Sequence, residues 1–394
     1  MDDETSLVLS SLDEFVEQEV RPLEDELGEK LTNPRVGRHA NGQPVDEVVE
    51  AARTVRQRSA EAGFYAMLLP EEVGGGDVSN YTWYMANRHL GTKGRGLVDE
   101  VLSGPEGPKP MLLQAEGDQV DRYLRPVVRA EKSTAFAQTE SSVGSDSPNM
   151  STTATKNGDE WVLDGHKQWI SNARFCDFAQ VLARTTPQEE AGRYGGITCF
   201  LVERDEFEVG SNNNAMGGGG WQSEIILDNV QVPADRVLGE VDEAFYAAME
   251  FLSLGRLELG AEAVGRTYRM VDKSIEYAQQ REAFGERIGD FQQVSSMIAR
   301  GRAKSYAADA VGQRVARKLD EGDQVIEDSS IFNWFATQTF WEVADNAVQV
   351  HGANGVSTDN EMTEHLERAR LLRIVEGTDE IQLNTVAKQN GLLQ

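Results

Sequence analysis

The hydrophobic period changes twice along this 394-residue chain, from helical to alternating and back. That limits it to a fold in which a sheet region is flanked in sequence by helical ones. Leu7, Leu12, Phe15, Val16 and Val20 recur at helical spacing, with Pro22 as the expected stop. A second helix is expected from Val45 to Ala62, ended by Gly63. Leu68 to Gly76 must be loop, because it ends in three consecutive glycines, and Gly104 to Pro110 is irregular for its prolines and glycines. From about Thr134 the texture changes. Trp161 to Gly165 reads as a strand entering a turn, and Phe178–Thr185, Ile197–Glu203 and Glu224–Val232 as short strands. After Gly239 helical spacing returns. Helices are expected over 245–280, 292–319, 329–350 and 363–388, the last interrupted near Gly377. Four long helices with short joins predict a bundle. The expected class is α+β, with a helical domain over 1–133, a β-barrel or sandwich over 134–240 and a four-helix bundle over 241–394.

Composition removes several function classes. Hydrophobic residues make up 39% of the chain, enough for a folded core. No apolar run approaches the ~20 residues of a membrane helix. The acidic start, Met1-Asp2-Asp3-Glu4, lacks the basic and apolar blocks of a secretory leader. The only cysteines, Cys176 and Cys199, form no CxxC, as expected of a reduced cytoplasmic protein. Asp plus Glu number 66 against 38 Lys plus Arg, a net charge of −28. Nucleic acid and anionic membranes are therefore poor partners. Of the basic residues only 10 are Lys and 28 are Arg. Dispersed acid with little Lys predicts a surface adapted to high salt, where self-repulsion is screened.

Common catalytic signatures are absent. There is no GxSxG, HExxH or GxxxxGK[ST], and no GxGxxG follows an expected strand. The five His residues are scattered without metal-ligand spacing, so no metal site is expected. What remains is a series of Gly-, Ser- and Thr-bearing segments at element junctions. They are 136–146 (FAQTESSVGSD), 165–173 (GHKQWISNA), 281–285 (REAFG) with Phe291-Gln292, 349–355 (QVHGANG) and 374–381 (IVEGTDEI). Hydroxyls and free backbone N–H groups beside Gly suit an anion or a polar ring edge. Each segment alone is also an ordinary turn or helix cap.

Their order along the chain is specific. Together with Leu69 to Gly75 and Asp228 to Gly239, they make the chain resemble the acyl-CoA dehydrogenase family over nearly its whole length. The most specific parts are Thr139-Glu140 with Gly144-Ser145-Asp146, Trp169 to Asn172, Arg281 with Phe284-Gly285, and Glu376-Gly377-Thr378. The resemblance implies FAD, an acyl-CoA substrate, electron-transferring flavoprotein as electron acceptor, and a homotetramer built as a dimer of dimers. It also implies removal of two hydrogens across the α–β bond. A base takes the α-proton, flavin N5 takes the β-hydride, and hydrogen bonds polarise the thioester oxygen.

By that resemblance Glu376 is the base, with its pKa raised against apolar substrate, and its backbone N–H is one donor to the thioester oxygen. Gly377 allows close approach of the substrate. Relatives of the isovaleryl-CoA dehydrogenase type carry the base on the first bundle helix, directly before an Arg. Here that position is Gly255, before Arg256, so Glu376 is preferred and Glu258 is the alternative. Arg256 matches a residue near the CoA chain. Phe136, Gln138 and Thr139 match the edge of the flavin ring, and Gly144 and Ser145 its pyrophosphate and the CoA chain. Trp169, with Ile170, matches the ring face, and Ser171 the neighbourhood of N5. Arg281, Phe284 and Gln292 match residues that reach a neighbouring subunit's FAD. Gln349, Gly352 and Ala353 match the loop over that adenosine diphosphate, and Thr378 and Glu380 close the same end.

Four positions depart from the family pattern: Ser141, Ala173, Ala353 and Val375. Ala353 would strain the phosphate loop if that position required a positive φ. Ala353 to Ser357 resembles a branch that includes members active on long or hydroxylated acyl chains. An acyl-CoA oxidase, a nitroalkane-oxidase-like flavoprotein and a catalytically silent family member are the competing readings.

Overall fold

The structure is a computed structural model and describes residues 2–216, 220–357 and 360–393. Contacts divide the chain into two compact units. One comprises Pro34–Asp77 and Glu100–Phe251, the other Met1–Asn33, Val78–Asp99 and Leu252–Gln394.

Among the described residues of the first unit, eight strands form one sheet. They are β1 (Thr134–Ala137), β2 (Thr153–Asn157), β3 (Glu160–Ser171), β4 (Phe178–Arg184), β5 (Ile197–Glu203), β6 (Glu208–Asn213), β7 (Gln222–Pro233) and β8 (Val237–Leu238). The order is β6-β7-β3-β2-β4-β5-β8, with β1 parallel to β4. β4 and β5 are buried on both faces, which is why they read as continuous apolar runs. On one face Phe178, Leu182, Cys199 and Leu201 pack with Leu112, Tyr123, Leu124 and Val127. On the other, Ala179, Val181, Phe200 and Val202 pack with Trp161, Leu163, Ile225 and Val232. The helix Asp46–Glu61 ends as expected, at Gly63 with φ 85°.

Two local expectations are corrected. Gly165 does not end a strand, since β3 runs on to Ser171. A Cβ on Gly165 would lie 2.4 Å from Thr152 Oγ1, so the glycine marks a close approach between strands. Pro22 does not stop the first helical stretch either. The helical chain runs on through a wider, π-helical turn at Val16–Val20 into Arg21–Leu27, with Pro22 just beyond that turn.

The second unit is helical: α1 (Asp3–Phe15), α2 (Asn80–Gly91), α3 (Ala244–Gln280, from Leu252 onward), α4 (Gln292–Asp320), α5 (Ile326–His351), α6 (Met362–Leu372) and α7 (Asp379–Gln389). The expected helix over 363–388 is two helices, broken at 373–378. Small residues bring the helices close. A Cβ on Gly312 of α4 would sit 2.5 Å from the Tyr84 ring and 2.6 Å from Phe332. A buried ion cluster fastens α6 to α3. Glu262 accepts from Arg266 Nε at 2.7 Å and from Arg368 Nε and Nη2 at 2.7 and 2.6 Å. Burial opposes ionisation of Glu262, yet the two guanidiniums hold its carboxyl well below the ordinary range.

Candidate active site

In the sheet unit the topology itself creates a projecting loop. β1 and β2 follow one another along the same edge of β4, with Ala137 opposite Val181 and Thr153 opposite Arg184. The chain between them must leave the sheet and return. Glu140 closes the base of that excursion. Its carboxylate accepts from Ser151 N and Oγ at 2.7 and 2.6 Å and from Thr152 N and Oγ1 at 2.9 and 2.6 Å. From β3, the fully buried Lys167 adds its ammonium at 3.0 Å and also donates to Gln138 O at 3.1 Å. Burial alone would raise the Glu140 pKa; the Lys167 charge and the Ser151 and Thr152 donors bring it down to about 2. Burial pulls Lys167 down to about 8 against the pull of Glu140. Gln168 N then donates to Thr139 O at 2.9 Å. Phe136, Gln138 and Thr139 are thus held on a rigid rim, half-buried, while Gly144 and Ser145 lie exposed beyond it.

The same strand presents Trp169. Trp161, Leu163 and Lys167 alternate inward along β3, but the pairing with β7 shifts between Lys167 and Ile170. After the shift Ile170 is the buried residue. Trp169 is extruded at φ 63° with 51% of its surface exposed. Its N–H donates to Asn213 Oδ1 at 3.1 Å, which holds the bulge. Ser171 stands half-buried two residues on.

In the helical unit the break at 373–378 is a closed loop. Arg373 Nε donates to Asp379 Oδ2 at 2.7 Å while Asp379 N donates back to Arg373 O at 3.2 Å. Gln338 Nε2 also reaches Asp379 Oδ2 at 2.7 Å. Thr378 Oγ1 caps α7 by accepting from Ile381 N. Glu376 and Gly377 at the tip have φ 54° and 96°. The Glu376 carboxylate lies against α3: a Cβ built on Gly255 would be 3.1 Å from Glu376 Oε2. Arg256, next along α3, is 6% exposed. Burial lowers its pKa and the Glu376 charge opposes that. Among the described residues its Nε has no hydrogen-bond partner.

The remaining expected residues form a separate group on the same unit. Phe284 and Gly285, at φ 53° and 84°, make the tip of a hairpin between Glu282–Ala283 and Glu286–Arg287. Phe284 is 97% exposed, and Arg281 and Gln292 are exposed on either side. Gln349, Gly352 and Ala353 are exposed at the end of α5. Gly352 carries the positive φ there, at 58°, and Ala353 does not, so the alanine is unstrained. Tyr277 of α3 stacks on His351 at 4.4 Å and its hydroxyl meets Asn354, which joins this turn to the hairpin end of α3. Glu376 is joined to α3 at Gly255, 22 residues earlier, or about 33 Å along the helix. One chain therefore does not bring the Glu376 group and the Arg281 group together. Glu380 is exposed on α7. Lys167, Asn213 and Gln382 escaped the sequence reading. Lys167 escaped because the strand was expected to turn at Gly165, whereas β3 runs on to Ser171.

The comparisons with known proteins decide the family. Residues 135–230 match the middle domain of acyl-CoA dehydrogenases and residues 243–390 the C-terminal domain. The 3-(aryl)acrylate reductase of Clostridium sporogenes is 31% identical over 95% of both chains. The chain belongs to the acyl-CoA dehydrogenase family. The caffeyl-CoA reductase-Etf complex subunit CarC of Acetobacterium woodii is 32% identical over 86% of this chain and 89% of its own. A solved acyl-CoA dehydrogenase from Geobacillus kaustophilus superposes with a TM-score of 0.86 at 26% identity, covering 99% of this chain and 98% of that one. The fold is that of the family, helical, then sheet, then helical, and the enzyme is an oxidoreductase.

The family cofactor is FAD, and the sheet unit fits it. A planar heterocycle with one polar edge needs an apolar face and a row of hydrogen-bonding groups. Exposed Trp169 is an apolar face of that kind, and the half-buried Gln138, Thr139 and Ser171 are hydrogen-bonding residues of that kind. A Cβ on Gly144 would meet nothing within 4 Å, so that point of the loop faces open space.

Proposed function

We propose that the chain interconverts an acyl-CoA thioester and its trans-2-enoyl-CoA, with Glu376 moving the α-proton. The carrying observation is the placement of Glu376: a carboxylate on a closed, positive-φ loop, directed onto a glycine beside a buried Arg. A carboxylate so held takes a proton from one direction, which is what stereospecific abstraction requires. Arg256 binds the substrate's CoA portion and Gly377 leaves room for it. FAD, when bound, supplies the hydride acceptor for the β-hydrogen. Phe136, Gln138, Thr139, Gly144, Ser145, Trp169, Ile170 and Ser171 hold the cofactor, and Ser145 also meets the CoA chain.

Arg281, Phe284, Gln292, Gln349, Gly352 and Ala353 serve the FAD of a neighbouring subunit in a homotetramer, while Thr378 and Glu380, beside Glu376, close on an adenosine diphosphate end. The separation of about 33 Å between Gly255 and Tyr277 along α3 favours that division of labour. Electron-transferring flavoprotein is the redox partner, a reading supported by the relative named as part of a complex with it. The dispersed acidic surface suits a cytoplasm of high salt.

A second reading concerns direction. Two of the relatives are named reductases of aryl-substituted substrates. The group that removes an α-proton also returns it, so Glu376 serves enoyl-CoA reduction equally. Anaerobic mixing with a panel of saturated and aryl acyl-CoAs should bleach the flavin for the true substrate. The Glu376→Gln variant should keep FAD and bind acyl-CoA yet bleach slower by at least ~10³-fold. Bleaching at the wild-type rate would remove Glu376 as base and point to Glu258.

A further inference from the structure

We infer that Gln382 is a positioning residue for Glu376, holding the catalytic loop in the conformation that aims its carboxylate. The inference rests on the assignment of Glu376 as base. Glu376 has a Cβ and sits at φ 54°, in the left-handed region that such residues rarely adopt. Conformations of this kind persist only where surrounding contacts impose them.

The imposing contact comes from α7. The Gln382 side chain is fully buried, and its Nε2 donates to Glu376 O and to Gly377 O, both at 3.0 Å. Both hydrogens of one amide are spent on the two carbonyls flanking the turn, which fixes the peptide between Glu376 and Gly377. The Gln382 backbone is itself fixed, because its N–H donates to Thr378 O at 2.9 Å in the first turn of α7. The choice of residue at 377 follows. A Cβ on Gly377 would stand 2.9 Å from Gln382 Nε2, so a side chain there would push the amide off the carbonyls.

Both hydrogen bonds of the amide go to backbone oxygens. The amide determines the direction in which the Glu376 Cα–Cβ bond leaves the loop, and so where Oε2 lies relative to Gly255. With the two carbonyls released, glycine at 377 lets the turn relax through several backbone conformations. The carboxylate would then sample positions away from the substrate's α-carbon. A misplacement of about 1 Å in a catalytic group lowers a rate on the order of a hundredfold.

The experiment uses FAD-loaded Gln382→Met, which keeps the length of the side chain and loses both donors, and Gln382→Glu, which sets a carboxylate against two carbonyls. Each is compared with wild type and Glu376→Gln in three anaerobic measurements. The limiting rate of flavin bleaching by the best acyl-CoA should fall about 10- to 100-fold. The acyl-CoA concentration giving half that rate should change little. Bleaching by dithionite, which needs no base, should be unchanged, as should FAD content. A wild-type bleaching rate in either FAD-loaded variant overturns the inference. So does loss of FAD or slowed dithionite reduction in both variants, which would make Gln382 a support of the fold or cofactor site. If Glu376→Gln itself bleaches normally, the base assignment fails, whatever the Gln382 variants do.

Discussion

Glu376 and Gly255 occupy one another's space: an added Cβ on the helix residue would stand 3.1 Å from Oε2 and 3.5 Å from Cδ of the loop residue. The two positions are the alternative base sites of the family resemblance. Here the glycine at one is what admits the carboxylate from the other. The pairing also explains why a helix interior tolerates glycine, which costs about 1 kcal/mol relative to alanine.

Gly255→Ala should therefore separate stability from activity. The helix gains from alanine, and a contact at 3.1 Å requires the carboxylate to yield by a few tenths of an ångström. Thermal unfolding should shift upward while acyl-CoA-driven bleaching slows, by on the order of tenfold or less. An activity equal to wild type together with higher stability would mean that the carboxylate moves without consequence.

Glu140→Gln tests the clip at the base of the loop between β1 and β2. The pair with Lys167 is buried, so leaving the ammonium with a neutral partner should cost about 3–5 kcal/mol at neutral pH. The pH dependence has a definite sign. The folded pKa of Glu140, about 2, lies below its ordinary value of 4.5. Its stabilising contribution is complete above about pH 4.5 and is lost as pH falls through about 2. Urea midpoints of wild type and variant should differ most near neutrality and converge toward pH 2. Parallel curves across that range would show that Glu140 does not carry the acid sensitivity.

Much of this was legible from the residues. The long helices over 244–280, 292–320 and 326–351 announce themselves because apolar residues recur along one face. β4 and β5 announce themselves because burial on both faces demands unbroken apolar runs. β2 and β6 were not legible: TATKN and EVGSNN carry few apolar residues and are strands through pairing alone. The bulge that extrudes Trp169 is a register event set by β7 and Asn213, neither local to the tryptophan. Glu376 could be found only because the run Glu376-Gly377-Thr378 resembles the family's base segment; a break and a cap alone would not single it out. Gln382 could not, since a polar residue in the first turn of a helix shows no sign of facing inward.

Asn213→Ala asks whether that bulge serves the cofactor. Losing the acceptor for Trp169 N–H should weaken the local structure by about 0.5–1.5 kcal/mol. Because Trp169 is exposed only through the bulge, FAD retention on dilution should fall, and Trp169→Ala should fall at least as far. Unchanged FAD dissociation in Asn213→Ala would leave the indole's placement independent of this hydrogen bond.

The last prediction concerns salt. The chain carries a net −28 with 10 Lys against 28 Arg, so copies brought together in the proposed tetramer would repel one another. At about 0.01 M salt the Debye length is near 30 Å, long enough to act across a subunit interface, and at about 1 M it is near 3 Å. Subunits should separate first as salt is removed. FAD should follow, because the Arg281 and Gln349 groups, remote from Glu376 on their own chain, are proposed to complete a neighbour's cofactor site. Arg281→Ala should show the same loss of FAD at high salt, where subunits remain together, since a charge-assisted contact is worth about 1.5–3 kcal/mol. Size-exclusion chromatography with flavin absorbance over a KCl series reads both effects. A flavin-loaded tetramer unchanged at about 0.01 M salt would reject the salt adaptation. Unaltered FAD affinity in assembled Arg281→Ala would reject the shared cofactor site.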